Sequence, residues 1–481
     1  MRKLSLSTLS LMCLPFAAHA EPATPEGAKA IEQSYAAYLT AEVTQKGLVT
    51  VTPDGDSYRV RWDLQKIADS GGDASDALTI EPLEYRLTPQ ANGGWTLRSD
   101  HFPRISFHHS TEKDNSAASL DLSGYSLESV YDPTQTEFLR SKASADKVTS
   151  DLQTADGGKS GDVKNEQQSM RFETRARNAS GGPGVDVALA EAFAGMTQNV
   201  AAPPEGASVG SYVYSNGGGA GEALLTGLRA KEMADLWKFA VAHMSDQEMP
   251  ADFKTRVATI LPLWDNLKIG LRAVDFRFDS PAGGATMKSL TQDLALTGLV
   301  ADGQAEFGLA FDDLEVNSPM APAWASSLFP ASIDLHLHFS DHGWDEAARL
   351  ALADANFGRE GDLTPETQSK IEEKLMAGDP KLRVPPGRLK LPTIDLTFEG
   401  EAALAGGLPA GHAKLTADSL DKTLALLQEI NKTEPQTESA ILSLTLMKGL
   451  AKTGDDGRLV WEVDITGNGA INVNGTPLSQ P

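Results

Sequence analysis

The chain has 481 residues, 6% of them aromatic, with 66 acidic against 42 basic side chains and a formal net charge of −24. So acidic a balance argues against a partner with a phosphate backbone, which calls for basic patches. Nucleic acid is therefore not expected, and the acidity reads as solubility. A single cysteine, Cys13, excludes a disulfide framework and a zinc–thiolate site.

Residues 1–20, MRKLSLSTLSLMCLPFAAHA, have the anatomy of a secretory signal peptide. Arg2 and Lys3 precede an apolar run from Leu4 to Phe16, and Ala18-His19-Ala20 is a small-x-small cleavage site. The run is shorter than the roughly 20 residues a membrane-spanning helix needs. Cleavage after Ala20 removes Cys13 and two positive charges, leaving no thiol. The expected location is an exported compartment, the periplasm, and no later stretch is apolar for long enough to span a bilayer.

A short helix is expected over 26–39. The pattern then switches to period two. In YRVRWDL (58–64), Tyr58, Val60, Trp62 and Leu64 share one face, with Arg59, Arg61 and Asp63 on the other. Alternation continues through 78–87, 94–99, 104–109 and 118–130, with Gly, Asp, Asn and Pro in the gaps. Such runs predict an antiparallel sheet with one wet face. His108 and His109 are adjacent, so on a strand they point to opposite faces and cannot chelate together.

Residues 141–168 are poor in large apolar side chains and read either as a disordered linker or as a polar hairpin turning at Gly157-Gly158. Alternation in MRFETRAR (170–177) tilts the reading towards the hairpin. Spacing in VDVALAEAFAGMTQ (185–198) predicts a helix before the break AAPPEG. GASVG (206–210) matches a G-x-S-x-G nucleophile elbow, but Ser208 follows a Pro-rich loop where the elbow needs a strand. The glycines of SNGGGAGEALL (215–225) lack the spacing of a phosphate or dinucleotide loop and read as a hairpin turn.

Three strand-to-helix passages follow a similar plan. AGEALLT (220–226) and AGHAKLT (410–416) each lead into helical apolar spacing, and the strand Ile333–Phe339 runs through a turn into WDEAARLALADA (344–355). An internal repeat is expected from this. Long alternating runs at 267–280, 289–300 and 305–316 carry the clearest strand signal. LTPETQSKIEEKLM (363–376) opens a helix with Thr364 as cap and Pro365 at the first position. RVPPG (383–387) reads as a linker, with a further helix at 437–451 and a closing strand at 458–467. Asp455-Asp456-Gly457 reads as a hairpin turn.

The expected fold is α+β: long antiparallel sheets with strand-to-helix repeats, helices covering one face of each sheet. The expected domains are 21–200, with the polar segment 141–168, then 201–382 and 383–481.

One stretch invites metal chemistry. In IDLHLHFSDHGWDE (333–346), His336 and His338 share a strand face, with Asp334 and Ser340 beside them and Leu335, Leu337 and Phe339 opposite. His342 from the turn would complete a three-histidine site. An outward polar face accounts for the same residues without a metal, and Asp345 and Glu346 suit the first turn of a helix. No catalytic residue, cofactor or metal is assigned; His336, His338 and His342 remain the metal candidates.

The strand LTFEGEAAL, the unit PAGHAKLTADSLDKTLALLQEI and the ending GDDGRLVWEVDITGNGAINVNGTPL, with the signal peptide, resemble an exported alphaproteobacterial family, the domain-of-unknown-function family 2125. The resemblance spans residues 200–478 and implies a periplasmic location in a Gram-negative bacterium; no activity or catalytic residue comes with it. The expected function is that of a non-enzymatic binding or scaffold protein of the cell envelope. Its sheet would curl into a groove for a lipid or another apolar ligand, with lipid or envelope proteins as partners. The alternative is a metal-dependent hydrolase using His336, His338 and His342.

Overall fold

The computed structural model describes residues 23–39, 45–68, 76–110, 114–132, 137–156, 159–179, 182–201, 211–243, 250, 252–355, 363–376, 380–404 and 409–479. The signal peptide, the turn 157–158 and the GASVG segment with Ser208 lie outside the described residues. The chain forms two compact units, Met1–Asn266 with Asn356–Gly361, and Leu267–Ala355 with Asp362–Pro481.

The first unit is built on strands β1 (Val49–Asp54), β2 (Ser57–Trp62), β3 (Asp76–Ile80), β4 (Leu83–Pro89), β5 (Trp95–Ser99), β6 (Ile105–Ser110), β7 (Asp114–Ser123), β8 (Ser126–Asp132), β9 (Glu137–Asp156), β10 (Lys159–Asn178), β11 (Val185–Ala201) and β12 (Tyr212–Leu228). All its pairings are antiparallel. They run β1–β2–β4–β5–β8–β9–β10–β11–β12. A second arm, β3–β6–β7, joins the same edge of β9. The fork follows from length: β9 has 20 residues, so its first half pairs β8 and its second half β7. Between β7 and β8 the chain turns at Gly124 (φ +63). A Cβ there would lie 2.1 Å from the Asp146 carboxylate, so only glycine fits the split.

Alternation decides the faces. Val51, Tyr58, Val60, Trp62, Tyr85, Leu87, Trp95, Leu97 and Tyr131 lie on one face and are buried with Ala28, Ile31 and Tyr35 of the helix Pro25–Ala36. Burying so many aromatic and aliphatic side chains, each worth about 1.5–3 kcal/mol, makes this the anchor of the unit. Thr24 caps the helix, its Oγ accepting from Gly27 N–H at 3.0 Å. The other face of the same strands carries charge.

The second unit contains β13 (Asn266–Ser280), β14 (Gly283–Thr297), β15 (Gly303–Asp312), β16 (Glu315–Asn317), β17 (Ser332–His342), β18 (Lys381–Leu391), β19 (Ile394–Ala403), β20 (Ala410–Ala417), β21 (Lys452–Thr453), β22 (Leu459–Ile465), β23 (Ile471–Val473) and β24 (Thr476–Ser479). Antiparallel pairing runs β14–β15–β17–β18–β19–β20–β22–β23–β24, with β16 on β14 and β21 on β22. Ala417, Leu420, Trp461 and Val473 form its buried cluster, packed by Leu424 and Leu444 from the helices Asp421–Asn431 and Glu438–Leu450.

Most elements fall where periodicity placed them. The segment 141–168 forms the hairpin of β9 and β10, with Lys159 opposite Asp156. Three expectations are corrected. The 185–198 stretch is strand β11, paired almost residue by residue with β10 on one side and β12 on the other. The glycine-rich 215–225 stretch lies inside β12, where a Cβ on Gly218 (φ +135) would come within 2.8 Å of Phe193 O. RVPPG is part of β18, with a register shift between Val384 and Gly387 where two prolines lack the N–H a ladder needs. The expected boundary at 200/201 falls within the β11–β12 hairpin. The three expected strand-to-helix passages are present: β12 runs into Ala230–Ala242, β17 into Trp344–Asp354 and β20 into Asp421–Asn431.

Candidate functional site

Strand β17 positions the three histidines. His336 lies opposite Gly308 and His338 opposite Glu306 on β15. With no side chain at Gly308, the His336 ring leans across the strand, its Nδ1 2.9 Å from where a Cβ would sit. His336 Nε2 is 3.0 Å from Asp334 Oδ1, and His338 Nδ1 is 3.9 Å from Glu306 Oε1. Both rings are more than a third exposed. The register then shifts: Ala305 faces Phe339, but Gly303 faces His342. That bulge turns His342 to the side of Phe339, away from the other two histidines. Its Nδ1 lies 3.2 Å from Leu375 O and its ring stacks with Trp344 at 6.4 Å. His336 and His338 are thus together and His342 is not. Among the described residues, no group of three His, Cys, Asp or Glu side chains could hold a metal ion.

Chemistry of another kind gathers on the charged face of the first unit. Across successive strands the register aligns Arg59, Arg86, Arg98, Glu128, Lys142, Glu173, Ala190 and Glu222 in one row. Two residues along, Ser126, Ser144, Arg171 and Ala192 make a parallel row. Apart from Glu222, the rows line a groove of about 1180 Å³. At β11 its lining includes Ala190 and Ala192.

The electrostatics are unusual for so acidic a chain. Arginine faces arginine twice, at Arg59–Arg86 and Arg86–Arg98, and like charges directly opposed are destabilising. Asp54 lies between the first pair, 3.2 Å from Arg59 and 3.4 Å from Arg86. Glu128 takes Arg98 at 2.9 Å. Lys142 and Arg175 share Glu173, at 3.8 and 3.0 Å. A hydrogen bond from Arg175 holds the Glu173 carboxyl below the usual carboxylate range, helped by the charges of Arg175, Lys142 and Arg140. Arg171 is exposed and has no ion pair among the described residues.

These residues fell outside the expected site. Their signal was present as charges at every second position, as in the alternation RVR at 59–61 and in MRFETRAR (170–177). Net charge, averaged over the chain, hid it.

Fold and groove together define a protein of long antiparallel sheets, one of which bears a charged, grooved face. Compared with known proteins, the chain matches no family model, no curated protein and no solved structure. The resemblance to family 2125 rests on the quoted motifs alone. No helix among the described residues is long and apolar enough to cross a membrane.

Proposed function

We propose that this is an exported binding protein of the bacterial cell envelope, and that its working surface is the arginine-lined groove of the first unit. One observation carries the reading: arginines stand opposite arginines in a chain whose acids outnumber its bases by 66 to 42. Holding such a face together costs stability, and an anionic ligand offsets that cost through charge-assisted, two-pronged contacts to guanidinium groups. The ligand is an envelope constituent with exposed anionic groups. A lipid is taken by its headgroup rather than by its acyl chain, because the groove's side chains are charged. Helices cover the apolar face of each sheet in this reading, as the clusters around Trp62 and Trp461 support, which leaves the polar face for binding. Signal peptide and family resemblance supply the periplasmic location. The metal-dependent hydrolase on His336, His338 and His342 lacks comparable support, since the β17 bulge parts His342 from the other two.

Native mass spectrometry of the mature chain from a periplasmic extract tests the proposal. The expected result is extra mass from an anionic compound, lost in the variant carrying Arg98→Gln, Lys142→Gln and Arg171→Gln. A bare polypeptide mass, or a bound metal lost with His336→Ala and His338→Ala, would overturn it.

A further inference from the structure

Beside the groove, on the same face, Arg140, Arg175, Arg177, Asp186, Ala188 and Leu224 border a cleft of about 650 Å³. Arg140 lies directly opposite Arg175 across β9 and β10. Arg177, two residues further along β10, shares their face.

The carboxylates within reach are already engaged. Glu173 is shared between Arg175 and Lys142. Asp186 is 7% exposed; its Oδ1 accepts from Gly227 N–H at 3.1 Å, and its Oδ2 is 3.5 Å from Arg177 Nε. Arg140 has no hydrogen bond or ion pair of its own among the described residues and only senses Glu173 through space. Three guanidinium groups therefore share two occupied carboxylates. The side chains of Arg175 and Arg177 are 70% and 76% exposed, so their remaining donors face solvent.

Apolar surface meets this charge. Ala188 and Leu224 sit opposite one another across β11 and β12, in the same row as Arg140 and Arg175. Leu224 is 40% exposed. A large apolar side chain left in water next to guanidinium groups with donors to spare fits a ligand that is anionic at one end and apolar at the other.

We propose that Arg140, Arg175 and Arg177 hold the phosphoryl head of an amphiphile whose first methylene groups lie against Ala188 and Leu224. The inference rests on the reading of this face as an anion-binding surface and names the ligand class at one end of it. The phosphoryl group could come from a free phosphate or from a lipid-like phosphate ester; the apolar wall assigns the second.

Calorimetric titration of the full mature chain with inorganic phosphate and with dodecyl phosphate, kept below its micelle concentration, tests this. The wild-type chain should bind dodecyl phosphate at least about tenfold more tightly, since several buried methylenes suffice for that factor. Arg140→Gln with Arg175→Gln should weaken both probes by about tenfold or more, because each substitution removes a charge-assisted contact to the anion. The single variant Arg140→Gln, at an exposed and unpaired position, gives the same direction should the double variant fail to fold. Leu224→Ser should bring the two probes within about threefold of each other while leaving inorganic phosphate unchanged. Equal affinity for the two probes would overturn the amphiphile, and binding indifferent to Arg140→Gln would overturn the cleft. Loss of dodecyl phosphate binding in the Arg98, Lys142 and Arg171 variant, with Arg140→Gln unaffected, would move the site to the groove. Failure of the groove reading itself shows separately, as a bare mass from the extract.

Discussion

Tyr85 illustrates how single polar atoms hold the first unit in one arrangement. Trp62 Nε1 donates to the Tyr85 hydroxyl at 3.0 Å, and that hydroxyl donates to the Tyr35 hydroxyl at 2.9 Å. All three side chains are buried, tying β2 and β4 to the first helix. Tyr85→Phe takes the acceptor from a buried indole N–H and should cost about 1–3 kcal/mol in denaturant unfolding. In the second unit, Arg388 Nε donates to Asp395 Oδ1 at 2.9 Å and holds its carboxyl below the ordinary aspartate value. A depressed folded-state pKa stabilises the fold above the ordinary value of about 3.9 and loses that contribution as pH falls through the lower, folded value. Arg388→Met should thus raise the pH at which Asp395 titrates, read by carboxyl NMR. Its cost at pH 7 should be under about 1 kcal/mol, because the pair is partly exposed.

At the scale of elements, legibility followed side-chain size. Strands with large apolar residues at every second position, such as β2 with Tyr58, Val60 and Trp62, announced themselves. Helices with a cap and a proline start, such as Pro365–Met376, did too. Strand β11 did not. Its solvent-side positions are Ala188, Ala190, Ala192 and Ala194, good helix formers, so local propensity pointed one way while pairing with β10 and β12 decided the other. Ala190→Thr separates the two: in a strand it should raise stability by a few tenths of a kcal/mol, where in a helix it would lower it. Thermal melting of the variant reads the sign. Strand β12 was hidden by its glycines, which read as a turn until the close approach to β11 gave Gly218 a reason to be there. The β17 bulge was hidden as well: alternation alone places His342 with His338, and only the pairing of Gly303 reveals the shift.

For the whole molecule, the distribution of charge outweighs its sum. An overall excess of acid argued against a partner with a phosphate backbone, yet one sheet face collects Arg59, Arg61, Arg86, Arg98, Arg140, Lys142, Arg171, Arg175 and Arg177. Residues from strands far apart in sequence meet there, which no window along the chain can show. Because Coulombic attraction of exposed groups is screened within about 8 Å at physiological ionic strength, binding on this face should weaken steadily as salt is added. The measurement that tests the account most directly is arginine-selective footprinting with phenylglyoxal, read residue by residue by mass spectrometry. The chain is compared as gently isolated from the periplasm and after stripping in high salt. The account predicts that Arg86, Arg98, Arg140, Arg171 and Arg175 are protected before stripping and reactive after it, while the exposed Arg104 and Arg349 react equally in both. Equal reactivity of all seven in both samples would contradict it and leave the face a solvated surface.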